Sequence, residues 1–385
     1  MQTALISAFP QPRLQYAAWA IGAGKRRLGD YTALCDSGRS AAFYALRSCN
    51  VPLGTTIWMP SFQCLVVVDA AVRAGYDVDF YRIAPDLSCD LDDLDRKLRD
   101  RPGPVMVIHY YGFPQPAIAE LATLCESKGV LLIEDCAHAL FSSDARRPLG
   151  GYAPLAIFSL RKTLALLEGG AYRWNRTDWV DEDKSVRVKQ AEPFSAAPYW
   201  LDARFIVREV IGPQITGAYR WLCRRPRKNP QQDPDDKASP QPLYVYRPSM
   251  SPLSYRLAAG CSPEEIVRIR RANWRGLDER LSRLAGYNKV FTLLDEGVCP
   301  LVMPVWVSDR PAMIRDLLAQ QIEPYAFAAW LHPLVPPGAF PDTTRLCASI
   351  LGLPVHQHLT QFDLDHIADA FTRSLERCPG RSASS

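Results

Sequence analysis

Three short runs of this chain hold residue types that suit a single kind of chemistry. The first is Ser37-Gly38-Arg39-Ser40, which leads into the apolar helix-period stretch Ala41 to Leu46. A glycine lets the backbone approach a ligand closely, and hydroxyls and free amides at a helix start make a seat for phosphate. The second is Leu131-Leu132-Ile133-Glu134-Asp135-Cys136-Ala137-His138, an apolar strand ending in an acid pair, with a histidine three residues past the second acid. A carboxylate at such a strand end can keep a pyridine nitrogen protonated and so turn the ring into an electron sink, with His138 in reach of a phenolic oxygen on the same ring. The third is Phe158-Ser159-Leu160-Arg161-Lys162-Thr163, followed by Glu168-Gly169-Gly170-Ala171. A lysine amine condenses with an aldehyde once it has lost its proton, and adjacent positive charge such as Arg161 favours that loss. Ser159 adds a phosphate contact, and the glycine pair lets the following chain cross close to the site.

Each run alone has an ordinary reading: a serine capping a helix, an aspartate starting a turn, a lysine and arginine on a surface loop. Together, a phosphate seat, a ring-nitrogen carboxylate and an aldehyde-binding amine fit one cofactor, pyridoxal 5'-phosphate (PLP).

These residues must be positioned by strand ends, where open α/β sheets collect their ligands. From about Asp36 to Asn175 short apolar runs alternate with helix-period stretches, the pattern of an α/β fold with a mostly parallel central sheet and helices on both faces. The expected strands are Thr56 to Met59, Val78 to Tyr81, Val105 to His109, Val130 to Glu134 and Leu155 to Phe158. The expected helices are Ser40 to Cys49, Leu65 to Ala74, Asp90 to Leu98 and Ile118 to Lys128. Ala196 to Cys223 reads as broken helix, and the Pro-, Asp- and Lys-rich Arg224 to Pro242 as a linker. Beyond it, a charged helix from Pro263 to Leu284, an apolar run from Leu301 to Val307, and helix-period stretches Pro311 to Gln320 and Phe362 to Ser374 suggest a smaller α+β domain. The expected division is a large domain with its N-terminal segment over 1–235 and a small C-terminal domain over 236–385.

With 385 residues, 48% hydrophobic and 22% charged, the chain has the composition of a globular protein with a sizeable core. A net charge of +4, from 45 basic and 41 acidic residues, gives no reason to invoke nucleic acid. No apolar window is long enough to span a bilayer, and no basic residue precedes an apolar run at the N-terminus, so no membrane or export role is expected. Eleven cysteines without C-x-x-C pairs suit a reducing cytoplasm rather than a disulfide framework. His356 and His358 have no carboxylate or cysteine partner in sequence, and no metal site is expected there.

Taken in order, the three runs, with Met59-Pro60-Ser61-Phe62, His109-Tyr110-Tyr111-Gly112-Phe113-Pro114 and Leu353-Pro354-Val355-His356, resemble the DegT/DnrJ/EryC1/StrS family of PLP-dependent aminotransferases. The resemblance implies a fold-type I transferase, with Lys162 as the Schiff-base lysine, Asp135 on the ring nitrogen and His138 near the ring hydroxyl. It puts the phosphate among Ser37, Gly38, Arg39, Ser40 and Ser159. It further implies an amino donor such as glutamate, a keto acceptor such as a nucleotide sugar, and a homodimer with shared active sites. The chain departs from the family pattern in three places. Lys162 follows Ser159 by three residues rather than five. Gln63-Cys64 replaces a threonine-aromatic pair, leaving Phe62 as the nearest aromatic to stack on the ring. Tyr246-Arg247-Pro248-Ser249-Met250-Ser251 stands where a partner-subunit motif is usual, with Arg247 and Ser251 as candidate cross-subunit contacts. Tyr325, Trp330 and His332 lie in a segment able to present aromatic groups to a substrate, with packing in the small domain the expected role of Trp330. Two rival readings stand beside transamination. One is another PLP reaction, such as elimination or bond cleavage; the other is a binding protein that keeps the fold without the chemistry.

Overall fold

The computed structural model describes residues 5–12, 28–181 and 244–377. The expected domain boundary at 235/236, the linker from Arg224 to Pro242 and the broken helix from Ala196 to Cys223 lie outside the described residues. In chain order the first elements are β1 (Ala33–Cys35), α1 (Gly38–Arg47), β2 (Thr56–Pro60), α2 (Leu65–Ala74), β3 (Asp77–Tyr81) and α3 (Leu91–Asp100). There follow β4 (Val105–Ile108), a 3-10 turn at Tyr110–Gly112, α4 (Ile118–Ser127), β5 (Leu132–Asp135), β6 (Leu155–Phe158), the short α5 (Leu160–Thr163) and β7 (Gly170–Trp174). After the gap come α6 (Pro252–Ala259), α7 (Pro263–Leu281), β8 (Val302–Trp306), α8 (Arg310–Ala319), α9 (Pro341–Ser349), β9 (Ile350–Pro354) and α10 (Gln361–Arg377).

One seven-stranded sheet runs in the order β1-β7-β6-β5-β4-β2-β3. Its central pairs are parallel, and β7 is antiparallel to both of its neighbours. Side chains alternate across the sheet with the period of two that extended chain imposes. Ile57, Met59, Met106, Ile133 and Ile157 face a core built with Ala41, Ala42, Ala45 and Leu46 of α1 and Val68, Ala70 and Ala71 of α2. Trp58, Val105, Val107 and Leu132 face the opposite side, with Leu94 of α3 and Leu121 of α4. Both faces are therefore covered, as near-continuous apolar strands require.

A second sheet pairs β8 with β9 in antiparallel register. Its residues share the core of the large sheet's second face: Val302, Met303, Leu351 and Leu353 lie in one apolar cluster with Val105, Leu121 and Trp274. The expected strands and helices of the first half are present to within a few residues. Both β1 and β7 went unforeseen, because three and five residues beside Asp36 and the glycine pair carry little apolar pattern. Neither α9 nor β9 was among the expected elements.

Arg270 of α7 ties these layers together. It is fully buried and pairs with no carboxylate among the described residues; instead Nη1 donates to Pro300 O and Leu301 O, Nη2 to Thr163 O, and Nε to Gln357 Oε1. Burial pushes its pKa down to about 10, so it remains charged at neutral pH. Gln357 Nε2 donates to the same Thr163 carbonyl, which follows Lys162 in the chain. Replacing Arg270 with Ala would strand these buried carbonyls, and we expect the urea-unfolding free energy to fall by roughly 3 kcal/mol or more. A loss within experimental error of zero would show that the carbonyls find other partners.

Candidate active site

The carboxyl ends of β4, β5 and β6 lie side by side, with Asp135 in register with Ile108 on one side and Ile157 on the other. The chain leaves them as His109, Cys136 and Ser159, and one cleft opens there. Ser37, Gly38, Arg39, Asp135, His138, Ser159, Arg161 and Lys162 all line it. Residues more than a hundred positions apart in sequence are thus gathered by the strand ends, as parallel sheets do at their carboxyl edge.

The phosphate seat takes its form from backbone crossings. Ser37 caps α1, its Oγ accepting from Ser40 N at 3.1 Å. A Cβ on Gly38 would lie 3.0 Å from Ser159 Cβ, and one on Gly170 would lie 2.1 Å from Ser37 O. These glycines let the α1 start, the β6 end and β7 converge on one point. Ser159 Oγ has no hydrogen-bond partner among the described residues and faces the cleft. The Arg39 guanidinium stacks over the Tyr244 ring at 4.2 Å, and Tyr244 Oη lies 2.7 Å from Ser37 Oγ. Burial raises the Asp36 carboxyl, opposed by hydroxyl contacts from Ser40 and Ser37 and by Arg247 and Arg39. The helix start, a free hydroxyl and Arg39 are the donor set that a phosphate needs.

Asp135 is buried at the end of β5. Its Oδ1 accepts from Ala137 N at 2.9 Å, while Oδ2 has no hydrogen-bond partner among the described residues. Burial raises its pKa, opposed by the Ala137 N–H, by Lys162 and by His109. A carboxylate with one free oxygen aimed into a cleft fits a protonated ring nitrogen. Three residues on, His138 is fixed at both nitrogens: Nδ1 accepts from Tyr111 N at 3.2 Å, and Nε2 lies 3.0 Å from Tyr325 Oη and 3.2 Å from Lys162 Nζ. An Nδ1 that accepts leaves the ring proton on Nε2. Burial, then the charge of Lys162, hold the His138 pKa well below its ordinary value. Lys162 Nζ also lies 3.2 Å from Tyr325 Oη.

Several expectations are corrected by these positions. Phe62 is fully buried against Tyr110 and Phe327 and does not line the cleft; the apolar walls are Cys64, Val66, Val67 and Phe327. Ser40 is also fully buried, its Oγ accepting from Arg247 N at 3.2 Å, so it holds the seat together without facing it. Ser251 is buried within its own chain, where it caps α6 and its N–H meets Glu168, and is no cross-subunit contact here. Trp330 stands 39% exposed beside a second pocket rather than packed inside. His332 Nε2 lies 3.3 Å from Asp69 Oδ1. His356 donates to Ser7 O and accepts from His358 N, a structural pairing.

Tyr325 was read only as one of several aromatics; no pattern in sequence tells which of them reaches a lysine 163 positions away. The family-like His109 and Glu134, with Cys136, also stand close enough to suggest a metal. Glu134 is already saturated, accepting from His109 Nε2 and from the amides of Gly150, Tyr152 and Ala153, and His109 Nδ1 accepts from Gln115 N. That closed network braces the strand end beneath Asp135.

Comparison with known proteins gives three concordant findings. Residues 29–192 match the model of the DegT/DnrJ/EryC1/StrS aminotransferase family. The chain is 28% identical over 169 residues to GDP-perosamine synthase of Vibrio cholerae, covering 43% of this chain and 45% of that protein, so this match spans less than half of either. It is 25% identical over 360 residues to dTDP-4-dehydro-2,3,6-trideoxy-D-glucose 4-aminotransferase of Saccharopolyspora spinosa, covering 89% of this chain and 83% of that protein. Among solved structures, Helicobacter pylori PseC, an aminotransferase involved in the biosynthesis of pseudoaminic acid, superimposes with a TM-score of 0.68 at 13% identity, over 97% of this chain and 100% of that one. The aminotransferase TlmJ from Streptoalloteichus hindustanus gives 0.65 at 20% identity, over 98% and 99%. At such identities the likeness shows the fold, that of the fold-type I transferases.

The state of His138 has a consequence for stability. The unfolded histidine takes up a proton below its ordinary value near 6.5, whereas the folded one stays neutral to well below it. Stability from this group is thus fully present above about pH 6.5 and is lost as pH falls below it, by at most about 1.4 kcal/mol per pH unit for one proton. Replacing His138 with Gln should flatten the urea-midpoint profile between pH 7.5 and 5 relative to the native chain; parallel profiles would show that His138 takes up its proton alike in the folded and unfolded chain.

Proposed function

We propose, for a chain whose residues 29–192 belong to the DegT/DnrJ/EryC1/StrS aminotransferase family, that it is a PLP-dependent aminotransferase. It would move an amino group from an amino acid such as glutamate to a keto group of a nucleotide sugar or related biosynthetic intermediate. The observation that carries this reading is the convergence of Lys162, His138 and Asp135 in one cleft with the α1 start and the free Ser159 hydroxyl. When bound, PLP supplies an electron sink that stabilises negative charge at the carbon beside the amine.

The chain's own residues divide the remaining work. Ser37, Gly38, Arg39 and Ser159 hold the phosphate and thereby fix the ring's position, with Ser40 bracing them from behind. Asp135 holds a proton at the ring nitrogen, and its burial keeps that pair away from water. His138, neutral and with its proton on Nε2, donates to the ring's hydroxyl oxygen. Lys162 Nζ would hold the cofactor by its aldehyde and, when free, would move a proton between the carbon beside the substrate's amine and the cofactor. Val66, Val67 and Phe327, rather than Phe62, give the cleft apolar walls that would shield the ring from solvent.

The same reading includes a division into large and small domains near 235/236, supported by the separate seven- and two-stranded sheets, and a homodimer whose partner completes the site. Exposed Val245 and Leu334 are apolar groups that an interface would cover. No helix among the described residues is long and apolar enough to cross a membrane. No disulfide joins the cysteines among the described residues, which supports a reducing compartment.

The test is a visible absorbance spectrum of the purified protein with PLP, before and after glutamate, alongside Lys162→Ala. A band that Lys162→Ala lacks, and that glutamate converts towards the amine form of the cofactor, is expected. A band unchanged by Lys162→Ala would remove Lys162 from its role, and a protein that takes up no PLP would overturn the reading altogether. A band that glutamate and other amino acids leave in place would turn the reading to a lyase.

A further inference from the structure

The run from Tyr244 to Ser251 lies across the start of α1 in its own chain. Arg247 N donates to Ser40 Oγ at 3.2 Å, Asp36 N to Arg247 O at 3.4 Å, and Tyr44 Oη to Tyr246 O at 3.0 Å. Two of its rings match the helix beneath them. The Arg39 guanidinium lies 4.2 Å from the centroid of the Tyr244 ring, and Tyr246 stacks on Phe43 with centroids 4.2 Å apart and planes 14° apart. Arg39 and Phe43 stand one helical turn apart on one face, and residues two apart along extended chain turn to one side. Val245, between the two tyrosines, is turned outward and 66% exposed. The run ends buried, at Met250 and Ser251.

Tyr244 touches both polar side chains that α1 and its cap bring to the cleft. Its ring carries Arg39, and its Oη lies 2.7 Å from Ser37 Oγ. Ser37 and Arg39 are two positions apart, a spacing at which side chains at a helix start do not face each other, so a third group is needed to set one against the other. Both line the cleft together with Ser159. An arginine stem has many rotamers; an aromatic face selects among them, and a guanidinium set in advance gives up less freedom when an anion arrives. The Ser37 hydroxyl is held from further sides: Ser40 N donates to it at 3.1 Å, and it lies 3.1 Å from Asp36 Oδ1 and 3.2 Å from Ser40 Oγ. The Asp36 carboxylate would oppose an anion, but it does not line the cleft, and Arg247 and Arg39 offset its charge.

We propose that Tyr244 is a positioning residue of the phosphate seat, supplied by the same chain as Lys162, which presents the Arg39 guanidinium and the Ser37 hydroxyl to a phosphate ester. The inference rests on the reading of the cleft as a PLP site, and it names the residue that gives the site its preference for the phosphorylated cofactor over the same ring without phosphate.

The test titrates cofactor-free protein with PLP and with pyridoxal, which has the same ring and aldehyde but no phosphate, and follows visible absorbance. Tyr244→Leu removes ring and hydroxyl together and should weaken PLP binding by about tenfold or more, while Tyr244→Phe keeps the ring and should weaken it by about threefold. Pyridoxal affinity should be unchanged in both, which also shows that the variants fold. Equal losses for PLP and pyridoxal would reduce Tyr244 to packing, and an unchanged PLP affinity in Tyr244→Leu would overturn the proposal. If Tyr244→Leu does not fold, the ratio of PLP to pyridoxal affinity in Tyr244→Phe decides in the same way. Mixing Lys162→Ala with Tyr244→Leu, at a PLP concentration too low to load the latter, should restore no absorbance band; a restored band would show that Tyr244 serves a partner's seat and overturn the same-chain assignment. Inorganic phosphate, followed by phosphorus-31 line broadening on the cofactor-free native chain and on Tyr244→Phe and Tyr244→Leu, probes the seat without the ring. Broadening that weakens in the variants, in a protein whose native form takes up no PLP, would sustain the seat and overturn the proposed function alone; broadening that the variants keep in full would overturn the role of Tyr244.

Discussion

The hydrogen bond from the Tyr111 amide to His138 Nδ1 is the constraint on which the site depends. It selects one tautomer of a buried imidazole, and the selected proton then points at Tyr325 and Lys162. The bond exists because Tyr111 holds a left-handed backbone, φ 56 and ψ 15, a conformation that costs a non-glycine residue about 1 kcal/mol or more. Two things offset that cost. Leu301 N donates to Tyr111 O at 2.8 Å, and Gly112, at φ +100, admits Cys299 O where a Cβ would sit 2.3 Å from it. The segment before β8 thereby fixes a proton in the heart of the large sheet's edge.

Much of this was legible in the sequence. The strands β2, β4, β5 and β6 announce themselves as apolar runs because both faces of a parallel sheet are covered, and residues at or just past the ends of β4, β5 and β6 line the cleft. Asp135, His138, Ser159 and Lys162 could be picked out because each stands one to five residues past an apolar run, where a strand must end. Phe62 and Ser40 were misplaced for the converse reason. Both are next to site residues in sequence, but the alternation of directions along extended chain and the turn of a helix send neighbours to opposite sides.

Contacts between distant segments left no such mark. Tyr325 is one tyrosine among sixteen, and it reaches Lys162 only because β9 takes its backbone and Gly352 clears the way. Arg270 sits in a helix of many charges, and its pattern of spacing does not distinguish it from exposed neighbours such as Arg268. Burial of a cation among carbonyl oxygens depends on where three loops end, which is a property of the assembled fold.

The apolar cluster common to the two sheets bears on how such a catalyst could move. Val302 and Leu353 from the small sheet share it with Val105 and Leu121, and Phe113 stacks on Phe291 with ring centroids 3.9 Å apart. Swinging the small sheet as a rigid body about a hinge would pull this dense interior apart and expose it to water, at a cost far above thermal energy. That leaves side chains and loops at the rim, rather than the two sheets, as the parts of the fold able to move at little cost.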